Sequence, residues 1–132
     1  MKKKSIDIVN VQKSFEKLLD LRVKDIKLAI KISKAYKEIK EHNETYSKQE
    51  SMMIQKYGLK NEKGEVIIEK DKYIKFACVE DAENYVKEQE ALRNSEVDIF
   101  DEIEIKTSDL LDASTITASL IYDLDGFVKF VE

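Results

Sequence analysis

Five carboxylates fall within ten residues of this chain: Glu96, Asp98, Asp101, Glu102 and Glu104, in the stretch EVDIFDEIEI. Carboxylates could hold a divalent cation or work as an acid–base pair if they converged on one point with neighbours that shift a pKa. Their spacing argues against convergence. Side chains on a strand alternate between faces, so Val97, Ile99, Ile103 and Ile105 share one face. Glu96, Asp98, Glu102 and Glu104 share the other, spread over roughly 27 Å by strand rise. Such a row is a solvated strand face, open to a partner's contacts, and it assigns no catalytic or metal-binding residue. Phe100–Asp101 inverts the alternation and predicts a β-bulge or bend there.

Three other groups could carry chemistry. DLDG, Asp123 to Gly126, has the opening of a calcium loop. Counting from Asp123, however, positions 5 and 7 are Phe127 and Lys129, so the match fails and a helix end with a glycine accounts for it better. His42 is the sole histidine and Cys78 the sole cysteine. Zinc motifs are therefore absent, and a Cys78–His42 nucleophile pair has no accompanying elbow or oxyanion motif. His42 reads as a solvated helix residue and Cys78 as a small buried hydrophobe. Lys24, Lys27, Lys31 and Lys34 fall on roughly one helix face. They could meet phosphate or an acidic protein, but the simpler account is the solvated back of a packed helix. With no glycine-rich phosphate loop, no cofactor is expected.

Composition sets the frame for these residues. The chain has 132 residues, 42% hydrophobic and 38% charged, with no proline and three glycines. That suits a single domain, residues 1–132, with long amphipathic helices that nothing interrupts. The net charge of −4 hides an asymmetry. Residues 1–76 hold 19 basic and 12 acidic residues, net +7, whereas 77–132 hold 4 and 15, net −11. A general nucleic-acid binder would be basic throughout, so nucleic acid is disfavoured as a partner. The basic start, MKKK, has no apolar segment behind it, and no stretch reaches the ~18 apolar residues of a membrane span. With a lone cysteine, the expected compartment is the cytoplasm.

The elements follow from periodicity. Ser5 is expected to cap a first helix over about 6–19, with Ile8, Val11, Phe15, Leu18 and Leu19 as its stripe. A joint at DLRV precedes a long helix over about 24–57, closed by Gly58 in a left-handed cap. This helix carries a 3-4 seam through Ile32, Tyr36, Ile39, Asn43, Tyr46, Glu50, Met53 and Tyr57. Residues 59–76 predict a small hairpin or meander, with a turn at NEKG and a tight connection at 69–72. A third helix over about 79–94 repeats the spacing at Cys78, Ala82, Tyr85, Gln89 and Leu92, which predicts that the two seams pack antiparallel. The acidic strand and a last helix capped by Ser114 complete the chain, with GFVKFVE either extending that helix or forming a strand. The fold class expected is α+β, mainly helical: a long antiparallel helical hairpin tipped by a small β-element, with an acidic strand and a C-terminal helix.

The order of these features resembles a family of small proteins of unknown function from tailed phages and prophages of Gram-positive bacteria. The segments that carry the likeness are LRVKDIKLAIKISKAYKEIK, the helix end QKYG, the hairpin NEKGEVIIEKDKYIKF, the strand VDIFDEIEI and the last helix STITASLIYDL. The chain departs from the family in lacking a proline at DLRV and in its extra residue at Phe100–Asp101. The resemblance implies a phage or prophage origin and a non-enzymatic role through protein contacts, and it carries over no site residues. A structural or assembly-associated role, tail-related, is expected first, and an inhibitor of a host defence protein second. The partner is then another protein, phage or host, with a homo-oligomer also compatible and virion association an alternative to the cytoplasm. The contact candidates are Glu96, Asp98, Glu102, Glu104, Lys24, Lys27, Lys31 and Lys34.

Overall fold

A computed structural model describes residues 1–70 and 73–132. The fold is α+β. In chain order it comprises strand β1 (Lys2–Lys4), helix α1 (Ser5–Leu18), helix α2 (Ile26–Tyr57), helix α3 (Val79–Asn94), strand β2 (Glu96–Asp98) and strand β3 (Ile103–Lys106). Two 3-10 turns, Thr107–Asp109 and Ala113–Thr115, then lead to helix α4 (Ala118–Asp123) and strand β4 (Val128–Val131). No helix among the described residues is long and apolar enough to cross a membrane. By its internal contacts the chain divides into two compact units: Met1–Asn43 with Glu96–Glu132, and Glu44–Ser95.

The first unit holds the main core. Ile8, Val11, Phe15 and Leu18 of α1 meet Ile32, Ala35 and Ile39 of α2, Ile103 and Ile105 of β3, and Leu120, Leu124, Phe127 and Val128. The 3-4 spacing on both helices is what allows a dry stripe on each. Three details of the expected boundaries change. Ser5 does not cap α1: Lys4 is the capping residue, without a side-chain bond, and Ser5 is buried inside the first turn. Asp25 starts α2, its carboxylate accepting from the Lys27 amide at 2.9 Å. Likewise Thr117, not Ser114, caps α4, its hydroxyl oxygen accepting from the Leu120 amide at 3.1 Å.

The acidic stretch is not one strand. It breaks after Asp98 and resumes at Ile103, and each piece finds a different neighbour. β2 pairs antiparallel with β1, and β3 pairs parallel with β4. Side-chain parity explains the break. In an unbroken strand holding Val97, Ile99, Ile103 and Ile105 inward, Asp101 would also face in and Phe100 out. Breaking the strand reverses this. The Phe100 ring lies 5.7 Å from that of Phe15 and 6.5 Å from that of Phe127, while the Asp101 side chain is fully exposed. Within the segment 126–132, Val128–Val131 forms a strand, with Gly126 at φ +85° turning the chain into it.

The second unit pairs the C-terminal part of α2 with α3. The Lys56 ammonium lies 3.0 Å from a Glu88 oxygen, and the Tyr57 hydroxyl donates to the same oxygen at 2.7 Å. Tyr46, Met53 and Tyr85 are buried here. The seam expectation holds for this half only: Tyr36 and Ile39 belong to the other unit, where Ile39 sits in the main core and the Tyr36 hydroxyl donates to Glu16 at 2.9 Å.

Between α2 and α3 three short segments bond in a ring. The Leu59 amide donates to Lys75 O, the Lys75 amide to Ile67 O, and the Ile67 amide to Leu59 O, at 2.8, 3.1 and 2.8 Å. Gly58 closes it. It lacks the left-handed conformation expected of a cap; a Cβ there would instead meet Ile54 O and Val66 Cγ1 at 2.7 Å each. The connection expected at 69–72 lies partly outside the described residues. Cys78 is exposed at the start of α3, not buried in the seam.

Candidate functional site

The acids of the opening stretch are placed by their neighbours across the sheets. On β1–β2 the register sets Lys2 opposite Asp98 and Lys4 opposite Glu96, with Lys3 opposite Val97. On β3–β4 Glu104 lies opposite Lys129. Opposite charges in cross-strand positions stabilise a sheet by about 0.2–1 kcal/mol per pair. Glu96, Asp98 and Glu104 thus have lysines as cross-strand neighbours, and they lie on two different sheets. No group of three or more metal-ligating side chains converges among the described residues.

Glu102 is placed differently. With Phe100 and Asp101 it forms one wall of a groove of about 740 Å³ whose other wall is α2. Lys27, Lys31 and Lys34 line that wall, joined by Ile30, Ala35, Lys37, Glu38 and Glu41. The two walls are tied where the Phe100 amide donates to Glu38 Oε2 at 3.2 Å. Ile30, 47% exposed, and Phe100 give the groove an apolar patch between charged rims. Of the eight contact candidates, the structure therefore brings together Lys27, Lys31, Lys34 and Glu102. Lys24 stands apart, its amide donating to Asp109 O at 2.9 Å. Ile30, Ala35, Lys37, Glu38, Glu41, Phe100 and Asp101 line the groove without being among those candidates. The sequence signal for the helical ones was their spacing of three and four from the lysines.

His42 is half-buried and bonded, which corrects its reading as a solvated residue. Its Nε2 lies 3.1 Å from Ser5 Oγ and its Nδ1 2.8 Å from Asn43 Oδ1. Asn43 Nδ2 donates to Ile8 O and Gln12 Oε1, which leaves Asn43 Oδ1 as the acceptor and assigns the proton to Nδ1. Hydroxyl, imidazole and orienting amide in this order have the layout of a nucleophile with its base. Ser5, however, is 2% exposed at the packed start of α1, out of reach of a substrate. The chain of bonds fastens α1 to α2. It also explains the polar Asn43 in an apolar seam.

Shifted acidities lie away from the groove. Hydrogen bonds from Tyr57 and then Lys56 hold the Glu88 carboxyl below its ordinary value. The hydroxyl and amide of Ser114 do the same for Asp112. Burial raises the Tyr46 and Tyr85 phenols, and the hydrogen bond to Glu16 raises that of Tyr36. Each has a local structural cause.

No protein-family model, curated protein or solved structure matches this chain.

Proposed function

We propose that this chain is a phage or prophage protein that acts by binding other proteins, in virion assembly and with a tail-associated role. The observation that carries the contact reading is the groove along α2, an apolar patch at Ile30 and Phe100 set between charged rims. That pattern suits a protein interface, where an apolar centre is ringed by polar residues. The phage origin rests on the resemblance in motif order described above. The reading is non-enzymatic, as that resemblance implies; three of the four strand acids lie opposite lysines across their sheets. The protein would then work in the cytoplasm of a bacterial host or on the virion.

A second reading, an inhibitor that binds a host defence protein, is favoured by the net charge of −11 on residues 77–132, which suits a basic partner. One experiment separates the two. Tagged wild-type chain and an Ile30→Asp variant are purified from infected cells, and the co-purifying proteins are quantified. Virion proteins recovered with wild type and lost with the variant support the first reading. A host protein recovered in their place supports the second. The same partners in the same amounts with Ile30→Asp would remove the groove as the contact surface.

A further inference from the structure

Lys27, Lys31, Lys34, Glu38 and Glu41 follow one another at intervals of 4, 3, 4 and 3 residues. All five are exposed, and all five line the groove. This is heptad spacing, so they form one stripe about 21 Å long on α2, basic in its first part and acidic in its last. The buried face of the same helix, with Ile32, Ala35 and Ile39, lies roughly 110° round from the stripe, which is left exposed beside it. Among the described residues, the ion pairs join Met1 to Asp98 and Asp101 and Lys56 to Glu88, and none uses this stripe.

A stripe with its charges in this order is complementary to itself when reversed. We propose that the α2 groove is a self-association surface, occupied by α2 of a second copy of this chain running antiparallel about a two-fold axis at Lys34. In that arrangement Lys27 of each copy meets Glu41 of the other, and Lys31 meets Glu38, giving four opposite-charge contacts. The cost is one like-charge contact, Lys34 with its counterpart on the axis, near which Asp101 and Glu102 of the groove wall supply negative charge. Ile30, flanking the stripe, becomes covered. A parallel pairing would set every lysine on a lysine, so the pattern selects direction as well as partner. A two-fold contact of this kind closes on itself and yields a dimer, not a filament. The inference rests on the reading of this groove as a protein-contact surface and names its occupant.

The test is sedimentation velocity of the full chain, wild type and two single variants, Lys27→Glu and Glu41→Lys. Both positions are exposed. Each variant alone turns two attractions into two repulsions, and each is expected to weaken dimerisation about tenfold or more. Mixed together, they restore both contacts in a heterodimer. The carboxylate introduced at position 27 of one copy then faces the ammonium introduced at position 41 of the other, and the unchanged Glu41 of the first faces the unchanged Lys27 of the second. Wild-type dimer that weakens with salt, weakened single variants and a restored mixture support the proposal. A wild type that stays monomeric up to about 0.5 mM overturns it. So does a dimer indifferent to both variants, or a mixture that remains as weak as its components. If the chain is monomeric yet Ile30→Asp loses its partners from infected cells, self-pairing fails while the contact surface stands.

Discussion

Gly58 is expected to be indispensable to the second unit for lack of space, not for backbone freedom. An alanine Cβ would lie 2.7 Å from Ile54 O, 2.7 Å from Val66 Cγ1 and 3.3 Å from Ile74 Cγ2. The Val66 and Ile74 methyls belong to side chains that give a little, but Ile54 O is helix backbone and already accepts from the Gly58 amide at 2.8 Å. Overpacking of this kind costs about 1–3 kcal/mol. Replacing glycine by alanine also removes unfolded-chain entropy worth about 0.4–1 kcal/mol, which offsets part of it. The net destabilisation of Gly58→Ala is therefore between about 0 and 2.6 kcal/mol, and because Ile54 O is backbone that cannot give way, about 1–2 kcal/mol is expected. For a chain of this size that lowers the melting temperature by about 3–10 °C. The three amides that close the ring, those of Leu59, Ile67 and Lys75, should exchange about 5- to 30-fold faster with solvent. The Ile103 amide, bonded to Phe127 O in the other unit, should be unchanged. Gly64→Ala is the contrasting control: Gly64 has φ +79° and nothing within 4 Å, so its cost is backbone strain of about 1–2 kcal/mol without a clash. Gly58→Ala that melts at or above wild type, with the ring amides equally protected, would refute the steric account.

Ile39→Ala should cost about 2–4 kcal/mol in urea unfolding, because Ile39 is 0% exposed in the main core, and an unchanged midpoint would contradict that packing. Glu88 has its acidity strengthened by Tyr57 and Lys56, so its contribution is present above the ordinary value of 4.5 and is lost as pH falls through the lower folded value. Glu88→Gln should accordingly lower stability at neutral pH and flatten the acid limb of the stability curve, and an unchanged limb would discount the contact. Asp98→Lys places two lysines opposite each other at Lys2 and should destabilise the chain by up to about 1 kcal/mol at low salt, less at high salt; a salt-independent loss would point to a cause other than charge. Cys78 should react with a thiol reagent in the native state, and protection until unfolding would contradict its exposure.

Much of the architecture was legible because it rests on local repeats. The stripe of Ile8, Val11, Phe15 and Leu18 needs only helical periodicity to be seen, and the boundaries of α3 follow from the acids at its start and the break after Asn94. What could not be read was which neighbour each repeat would meet. Tyr36, Ile39, Tyr46 and Met53 are one seam in sequence, yet the first two serve one compact unit and the last two the other. A 3-4 spacing states that a face is dry and says nothing of what dries it. Cys78 shows the same limit: it has the spacing of the α3 seam but sits one residue before the helix, where no helical face yet exists. Gly58 was placed correctly at a helix end and explained by the wrong property, since conformational freedom and small size leave the same letter.

The lysine run at 2–4 is the instructive omission. Three consecutive lysines carry no apolar alternation and no β-branched residue, so nothing local marks them as a strand. Their counterpart lies almost a hundred residues away, in the Glu96–Val97–Asp98 piece, and the pairing becomes apparent only when the two are set antiparallel: Lys2 to Asp98, Lys3 to Val97, Lys4 to Glu96. Each tripeptide supplies what the other lacks, charge for charge on the exposed face. The acidic row thus looked anomalous only while it was read alone. Its break at Phe100–Asp101 has the same origin. β2 and β3 answer to different partner strands, and the four residues between them are released to turn Phe100 inward onto Phe15 and Phe127. That turn leaves Asp101 and Glu102 as the wall that faces the lysines of α2 across the groove. The irregularity in the strand and the proposed contact surface are therefore one feature: a chain that kept regular alternation through residue 101 would fill neither the core nor the groove wall.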